Sequence, residues 1–198
     1  MFDGKNLDEW GSQKPKEWEA TDGPATDWKL LPDGCVEAVP GAGSIITKQK
    51  FSDFKLHLEF CTLGPVNSGV YLQTRYEVGL KESYGQTEGS PCGAPGNFSG
   101  PSRPVIPNAA APPLQWQTLD IEFRAPRFDE GGKDKQSNAR VTTALNGIEL
   151  YKDFEVTEIK GAAKRLGEVA AAPLMLQEHG SPIQFRNIWI VDRGGHEQ

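Results

Sequence analysis

Four side chains that carry chemistry stand two residues apart in Val70-Tyr71-Leu72-Gln73-Thr74-Arg75-Tyr76-Glu77-Val78: Tyr71, Gln73, Arg75 and Glu77. A phenol, an amide, a guanidinium and a carboxylate supply donors, acceptors, a fixed cation and a base. Such groups can bind sugar hydroxyls in bidentate fashion, and a carboxylate or imidazole among them can move a proton. His57 and Glu59 recur at the same spacing in Phe54-Lys55-Leu56-His57-Leu58-Glu59-Phe60. Gln177 and His179 do so in Leu174-Met175-Leu176-Gln177-Glu178-His179-Gly180.

A period of two is the signature of a strand with one buried face. Phe54, Leu56, Leu58 and Phe60 then point inward, as do Val70, Leu72, Tyr76 and Val78. The intervening side chains share the opposite face, about 7 Å apart per two-residue step. If these two strands are neighbours, His57, Glu59, Tyr71, Gln73, Arg75 and Glu77 form one patch, which Gln177 and His179 can join. The bland alternative is a solvated face with cross-strand ion pairs such as Arg75–Glu59. A lone histidine is more often structural than catalytic. His196, in a polar tail, has no assigned role. Trp116, between a long loop and a strand, suits either a sugar-stacking rim or a plug at the end of the core. Trp28 and Trp189, in apolar strands, are expected in the core.

Further strands are expected at Trp28–Leu31, Cys35–Ala38, Ser44–Thr47, Leu119–Arg124, Ala139–Leu145, Ile148–Phe154, Leu174–His179 and Phe185–Asp192. Asn146-Gly147 and Asp33-Gly34 are hairpin signals. Only Ala162–Ala171 has room for a turn or two of helix, and Gly167 weakens it. Roughly ten short strands without βα alternation read as an antiparallel sandwich or barrel. The chain, 1–198, reads as a single domain. Residues 85–115 lose the alternation and are rich in Gly, Pro, Ser, Asn and Ala. A loop of about 30 residues is functional or disordered as a rule. Cys92, Phe98, Val105 and Ile106 favour an ordered, packed one.

Composition narrows the function. With 37% hydrophobic residues and 22 Gly, the 198-residue chain can build a sizeable core. A net charge of -6 argues against a nucleic-acid surface, which needs a basic stripe. No apolar run approaches the roughly 18 residues of a membrane span. Three cysteines, Cys35, Cys61 and Cys92, without CxxC indicate neither a disulfide framework nor a thiolate zinc site. No signal peptide opens the chain, so the residues alone leave open a cytoplasmic protein or one whose export segment has been removed. Nucleophile-elbow, P-loop, HExxH and dinucleotide motifs are missing. The acidic stretch 127–134 lacks EF-hand spacing and reads as a solvated hairpin loop. Asn97-Phe98-Ser99 fits the N-glycosylation pattern, a frequent chance match.

Phe2-Asp3-Gly4-Lys5-Asn6-Leu7-Asp8-Glu9-Trp10 resembles the opening of the 3-keto-disaccharide hydrolase domain family. Asp53–Phe60, Asn67-Ser68-Gly69-Val70-Tyr71 with Tyr76-Glu77-Val78, Trp116-Gln117-Thr118-Leu119-Asp120-Ile121 and Leu176–Trp189 resemble it in order, as does the hairpin Asn138–Val141 to Leu145-Asn146-Gly147. The resemblance covers almost the whole chain. It implies an all-β, concanavalin A-like jelly-roll sandwich of two antiparallel sheets. It also implies a carbohydrate substrate, a 3-keto-glycoside, and a periplasmic or secreted location with the export segment ahead of this chain.

The implied chemistry needs few groups. A C3 ketone acidifies the C2 proton, a base removes it, the C1 substituent leaves and water adds back. On this resemblance Glu77 or His179 is the base and Arg75 or a metal stabilises the enolate. Asn67, Tyr71, Gln73 and Gln177 hold hydroxyls, and Trp116 stacks on the sugar. His57 and Glu59 complete the candidate substrate-binding set; with Glu77 and His179 they could instead hold a divalent cation. Two rival readings remain at this stage. One is a non-catalytic carbohydrate-binding domain. The other is an ordinary glycoside hydrolase using Glu59 and Glu77 as paired carboxylates.

Overall fold

The computed structural model describes residues 1–14, 18–25, 27–87, 89–100 and 107–194. His196 and the Val105-Ile106 anchors expected in the long loop lie outside the described residues. Among the described residues sixteen strands follow in order: β1 (Trp10–Ser12), β2 (Lys29–Leu30), β3 (Val36–Glu37), β4 (Ile45–Phe51), β5 (Phe54–Thr62), β6 (Asn67–Leu72), β7 (Tyr76–Lys81) and β8 (Phe98–Ser99). Then come β9 (Trp116–Arg124), β10 (Arg127–Phe128), β11 (Lys135–Ser137), β12 (Arg140–Leu145), β13 (Ile148–Glu155), β14 (Glu158–Ile159), β15 (Ala172–Leu176) and β16 (Ile183–Asp192).

Two antiparallel sheets form the all-β sandwich. One has five strands, ordered β1-β4-β15-β6-β7; the other has seven, ordered β13-β12-β9-β5-β16-β3-β2. Short ribbons, β10-β11 and β8-β14, close the ends. The inward side chains are those the two-residue period selects. Phe54, Leu56, Leu58 and Phe60 meet Val70, Leu72, Tyr76 and Val78 across the interior, each at most 2% exposed. Burial of each large apolar side chain contributes about 1.5–3 kcal/mol.

The chain changes sheet between β4 and β5 through only Ser52 and Asp53. Asp53 fastens this corner. Its carboxylate accepts from the Ala125 amide at 2.8 Å and from both Arg127 terminal nitrogens at 2.9 and 2.6 Å. Arg127 begins the small hairpin β10-β11, whose turn is tied by Asp129 accepting from the amides of Lys133 and Asp134.

Three sequence expectations change. β5 and β6 are not neighbours; they belong to opposite sheets. The stretch 70–78 is not one strand but a hairpin, with Leu72 opposite Tyr76 and with Gln73 and Thr74 at positive φ (50° and 57°). Such a turn normally takes Gly or Asn. Here the Gln73 amide donates to the carbonyls of Phe51 and Ala170, which anchors the strained residue. Trp189 is outside the core, 45% exposed. A bulge at Asn187 (φ 47°) shifts the register of β16 and reverses which side chains face inward.

Part of the 85–115 segment seals an edge. Residues 93–96 run beside β7, with Gly79 donating to Ala94 O, Gly93 to Gly79 O and Gly96 to Glu77 O. Covering a free edge in this way satisfies its backbone groups and blocks pairing with another chain. Cys92 and Phe98 are buried beneath. A 3-10 turn, Gly161–Leu166, takes up only the first part of the helical expectation and ends at Gly167 (φ 67°). The three cysteines are free and buried, and burial pushes the Cys92 thiol up to about 11. Among the described residues no helix is long and apolar enough to cross a membrane.

Candidate active site

Alternation on the five-stranded sheet sends one set of side chains away from the core. β6 presents Asn67, Gly69 and Tyr71; β7 presents Glu77, Gly79 and Lys81; β15 presents Pro173 and Met175 and leads to Gln177. Tyr71 stands opposite Glu77, and its hydroxyl donates to Glu77 Oε2 at 2.8 Å. Gln177 Nε2 lies 3.5 Å from the same hydroxyl, while its backbone amide donates to Gly69 O. Burial, reinforced by the Glu77 carboxylate, pushes the Tyr71 phenol far above its usual range, so it remains a proton donor.

Beside this couple the sheet carries almost no side chains. Gly69 faces Gly79 across β6 and β7. Beyond them Asn67 faces Lys81, and Asn67 Nδ2 lies 3.0 Å from His179 Nδ1. With the amide donating, the imidazole proton sits on Nε2. Tyr71 and Asn67 are four residues apart on one strand, about 13 Å. His179 therefore lies at the far end of this face from Glu77, with the buried Gly69 and Gly79 between them beneath the Glu77 and Lys81 side chains.

Glu77 sits in a slot. A Cβ on Gly69 would lie 2.8 Å from Glu77 Cγ, and a Cβ on Gly96 only 2.4 Å from Glu77 Cδ. Asn97 fixes the backbone beneath it, accepting from the Glu77 amide at 2.8 Å and donating to Arg75 O at 2.9 Å. The side chain in the N-glycosylation pattern is thus committed to the hairpin. Trp18 completes the wall, edge-on to Tyr71 with centroids 5.4 Å apart. Sequence reading missed Trp18, Gly69, Gly79, Lys81, Gly96 and Asn97. Only Lys81 had a usable signal, the same two-residue step continued past Glu77.

The remaining candidates lie elsewhere. Gln73 is buried in the turn, and Arg75 bonds Gly167 O, Gln73 O and Thr74 Oγ1 at 2.6, 2.8 and 3.0 Å. His57, Glu59 and Trp116 occupy the outer face of the seven-stranded sheet. His57 stacks on Trp189 (centroids 5.0 Å apart) and bonds Asp120 at 2.7 Å. Arg186 lies 4.0 Å over the Trp116 ring. Glu59 accepts from Arg186 and Asn187 at 2.7 and 3.0 Å. Burial opposes its ionisation, but these bonds hold Glu59 below the usual carboxylate range. Glu59 and Glu77 therefore cannot flank one bond, and His57, Glu59, Glu77 and His179 do not converge on one cation. Among the described residues no group of three or more His, Cys, Asp or Glu side chains is placed to hold a metal.

What the trough can do chemically is proton transfer beside a hydroxyl-rich ligand. It brings a carboxylate, a protonated phenol, an ammonium and two amides onto one sheet face.

Comparison with known proteins identifies the family. A solved structure of a candidate glycosyl hydrolase from Parabacteroides distasonis is 31% identical; the match covers 96% of this chain and 81% of that one, at a TM-score of 0.74. Two further candidate glycosyl hydrolases of that organism share the fold, at 22% and 18% identity and TM-scores of 0.63 and 0.61. They cover 95% and 96% of this chain and 95% and 91% of their own. No curated protein matches the sequence. The family model for the 3-keto-alpha-glucoside-1,2-lyase-like domain matches residues 1–191, and the chain belongs to that carbohydrate-active family.

Proposed function

We propose that the protein cleaves the glycosidic bond of a 3-keto-glycoside by elimination followed by hydration. The observation that carries this reading is the Tyr71–Glu77 couple beside the glycine floor. Glu77 takes the acidified C2 proton. Charge moves to the C3 oxygen, where Lys81 supplies the compensating cation, a role the sequence had suggested for Arg75. As the enolate collapses, C1=C2 forms and the C1–O bond breaks. The Tyr71 hydroxyl gives its proton to the departing oxygen, and protonated Glu77 restores it to Tyr71 along their hydrogen bond. The proton count closes without an external acid. Water then adds to the unsaturated sugar, giving net hydrolysis.

Asn67, Gln177 and His179 hold the sugar's hydroxyls. The base is proposed to be Glu77 rather than His179, a choice supported by the carboxylate's bond to the phenol and its place over Gly69. The test is Glu77→Gln assayed on a 3-keto-glucoside. A fall in kcat of roughly 10²–10⁴-fold is expected for loss of a positioned base. Full activity would end the proposal. Retained sugar binding in a wild-type protein that turns nothing over would instead favour the binding-domain reading.

A further inference from the structure

A hollow of about 550 Å³ opens beside Trp18. Its walls are Trp18, Leu166, Val169 and Pro173, and Lys50 and Arg75 stand at its rim. The strand geometry joins it to the trough. Met175 pairs with Tyr71, and Pro173, two residues back on β15, pairs with Lys50. Pro173 is thus about 13 Å from Gln177 along the strand, the length of a pyranose and one attached ring. Trp18 borders both spaces, touching Tyr71 on one side.

The lining selects a chemical class. The lining is mixed, with Trp18, Leu166, Val169 and Pro173 as its apolar part and Glu19, Lys50 and Arg75 as its charged part. The indole and the aliphatic side chains suit a flat aromatic ring. The rim is cationic. Glu19, the carboxylate in the lining, is turned toward Lys14 at 3.8 Å. Arg75 spends its hydrogen bonds on neutral oxygens, with the Glu168 carboxylate in its vicinity, and Lys50 is exposed. Two cations beside an apolar slot complement an aromatic ring that carries an anionic group.

We propose that this hollow is the leaving-group subsite and takes an aromatic aglycone bearing a carboxylate. Its link to the reacting bond rests on the elimination reading above. The test uses three 3-keto-α-glucosides that differ only in leaving group: 4-carboxyphenyl, phenyl and methyl. Wild type is compared with Lys50→Glu, a charge reversal at an exposed position, and with Leu166→Asp. Comparing the same substrate across variants removes the intrinsic reactivity of each leaving group.

Lys50→Glu lowers kcat/KM for the carboxyphenyl substrate roughly tenfold and changes the other two by less than about twofold. Leu166→Asp lowers it roughly tenfold for both aryl substrates and spares the methyl one. Equal changes on all three substrates, or none on the aryl pair, overturn the subsite and leave the elimination reading standing. If wild type cleaves none of the three, the elimination reading fails, and the ligand class is decided by calorimetry with the α-glucoside of 4-hydroxybenzoate. Binding weakened roughly tenfold by Lys50→Glu supports the aromatic-acid class. No binding to wild type, or equal binding to both, overturns it.

Discussion

Tyr71 and Glu77 face each other across the β6–β7 hairpin, the phenol donating to the carboxylate at 2.8 Å. On the proposed elimination, the bond ties the proton donor to the base in one unit, and the hairpin register sets it. Removing only the hydroxyl tests that unit. Tyr71→Phe keeps the ring against Trp18 but removes the donor. A fall in kcat of roughly 10²-fold or more is expected, with KM changed much less. Steady-state kinetics on a 3-keto-glucoside measures the split, and an unchanged kcat refutes the proton circuit.

Gly96 tests the slot that aims Glu77. A methyl there would sit 2.4 Å from Glu77 Cδ, so the end of a flexible side chain must move and the backbone need not. Gly96→Ala should cost roughly tenfold or more in kcat, since misplacing a reacting group by about 1 Å is enough for such losses. Thermal unfolding should shift little. A variant as active as wild type would show that the slot does not position the carboxylate.

Gln73 tests the turn. Its amide donates to Phe51 O at 3.0 Å and Ala170 O at 3.1 Å from a fully buried position. Gln73→Ala leaves both carbonyls without that donor and should lower stability by about 1–3 kcal/mol. Urea unfolding measures this, and a midpoint equal to wild type would contradict the anchoring role.

Asp53 makes the corner between the sheets sensitive to acid. Burial raises its pKa, but the Arg127 and Ala125 hydrogen bonds outweigh this and hold the carboxyl below the usual aspartate range. The ionised group thus favours the folded state above the unfolded pKa of about 3.9, and this contribution is lost as pH falls through the lower folded value. Asp53→Asn should be less stable than wild type by about 2 kcal/mol near neutrality. The two curves should converge below about pH 4. A difference that is constant down to acid pH would remove the charge from the explanation.

Much of the architecture is legible in the residues because alternation is a local property. Phe54, Leu56, Leu58 and Phe60 had to share a face whichever sheet received them, and so did Asn67 and Tyr71. Asn146-Gly147 marks a hairpin because both positions need positive φ, 52° and 77° here. The same local logic failed where Gln73 and Thr74, which carry no turn signature, took the unusual backbone, and where a lone Asn187 inside a strand pattern did so. Gln73 and Thr74 turn the chain on the strength of Gln73's buried bonds. Asn187 slips the register and sends Trp189 outward.

The residues alone therefore determined an all-β sandwich or barrel, and the family resemblance chose the sandwich; alternation also told which side chains lie together on each strand. Only the tertiary structure decided which strands are neighbours, because pairing joins segments far apart in sequence and has no local signal. That choice sent His57, Glu59 and Trp116 to one outer surface and Tyr71, Glu77, Asn67 and Gln177 to the other. It also brought Gly96 and Asn97 against Glu77, a contact made by sealing an exposed strand edge.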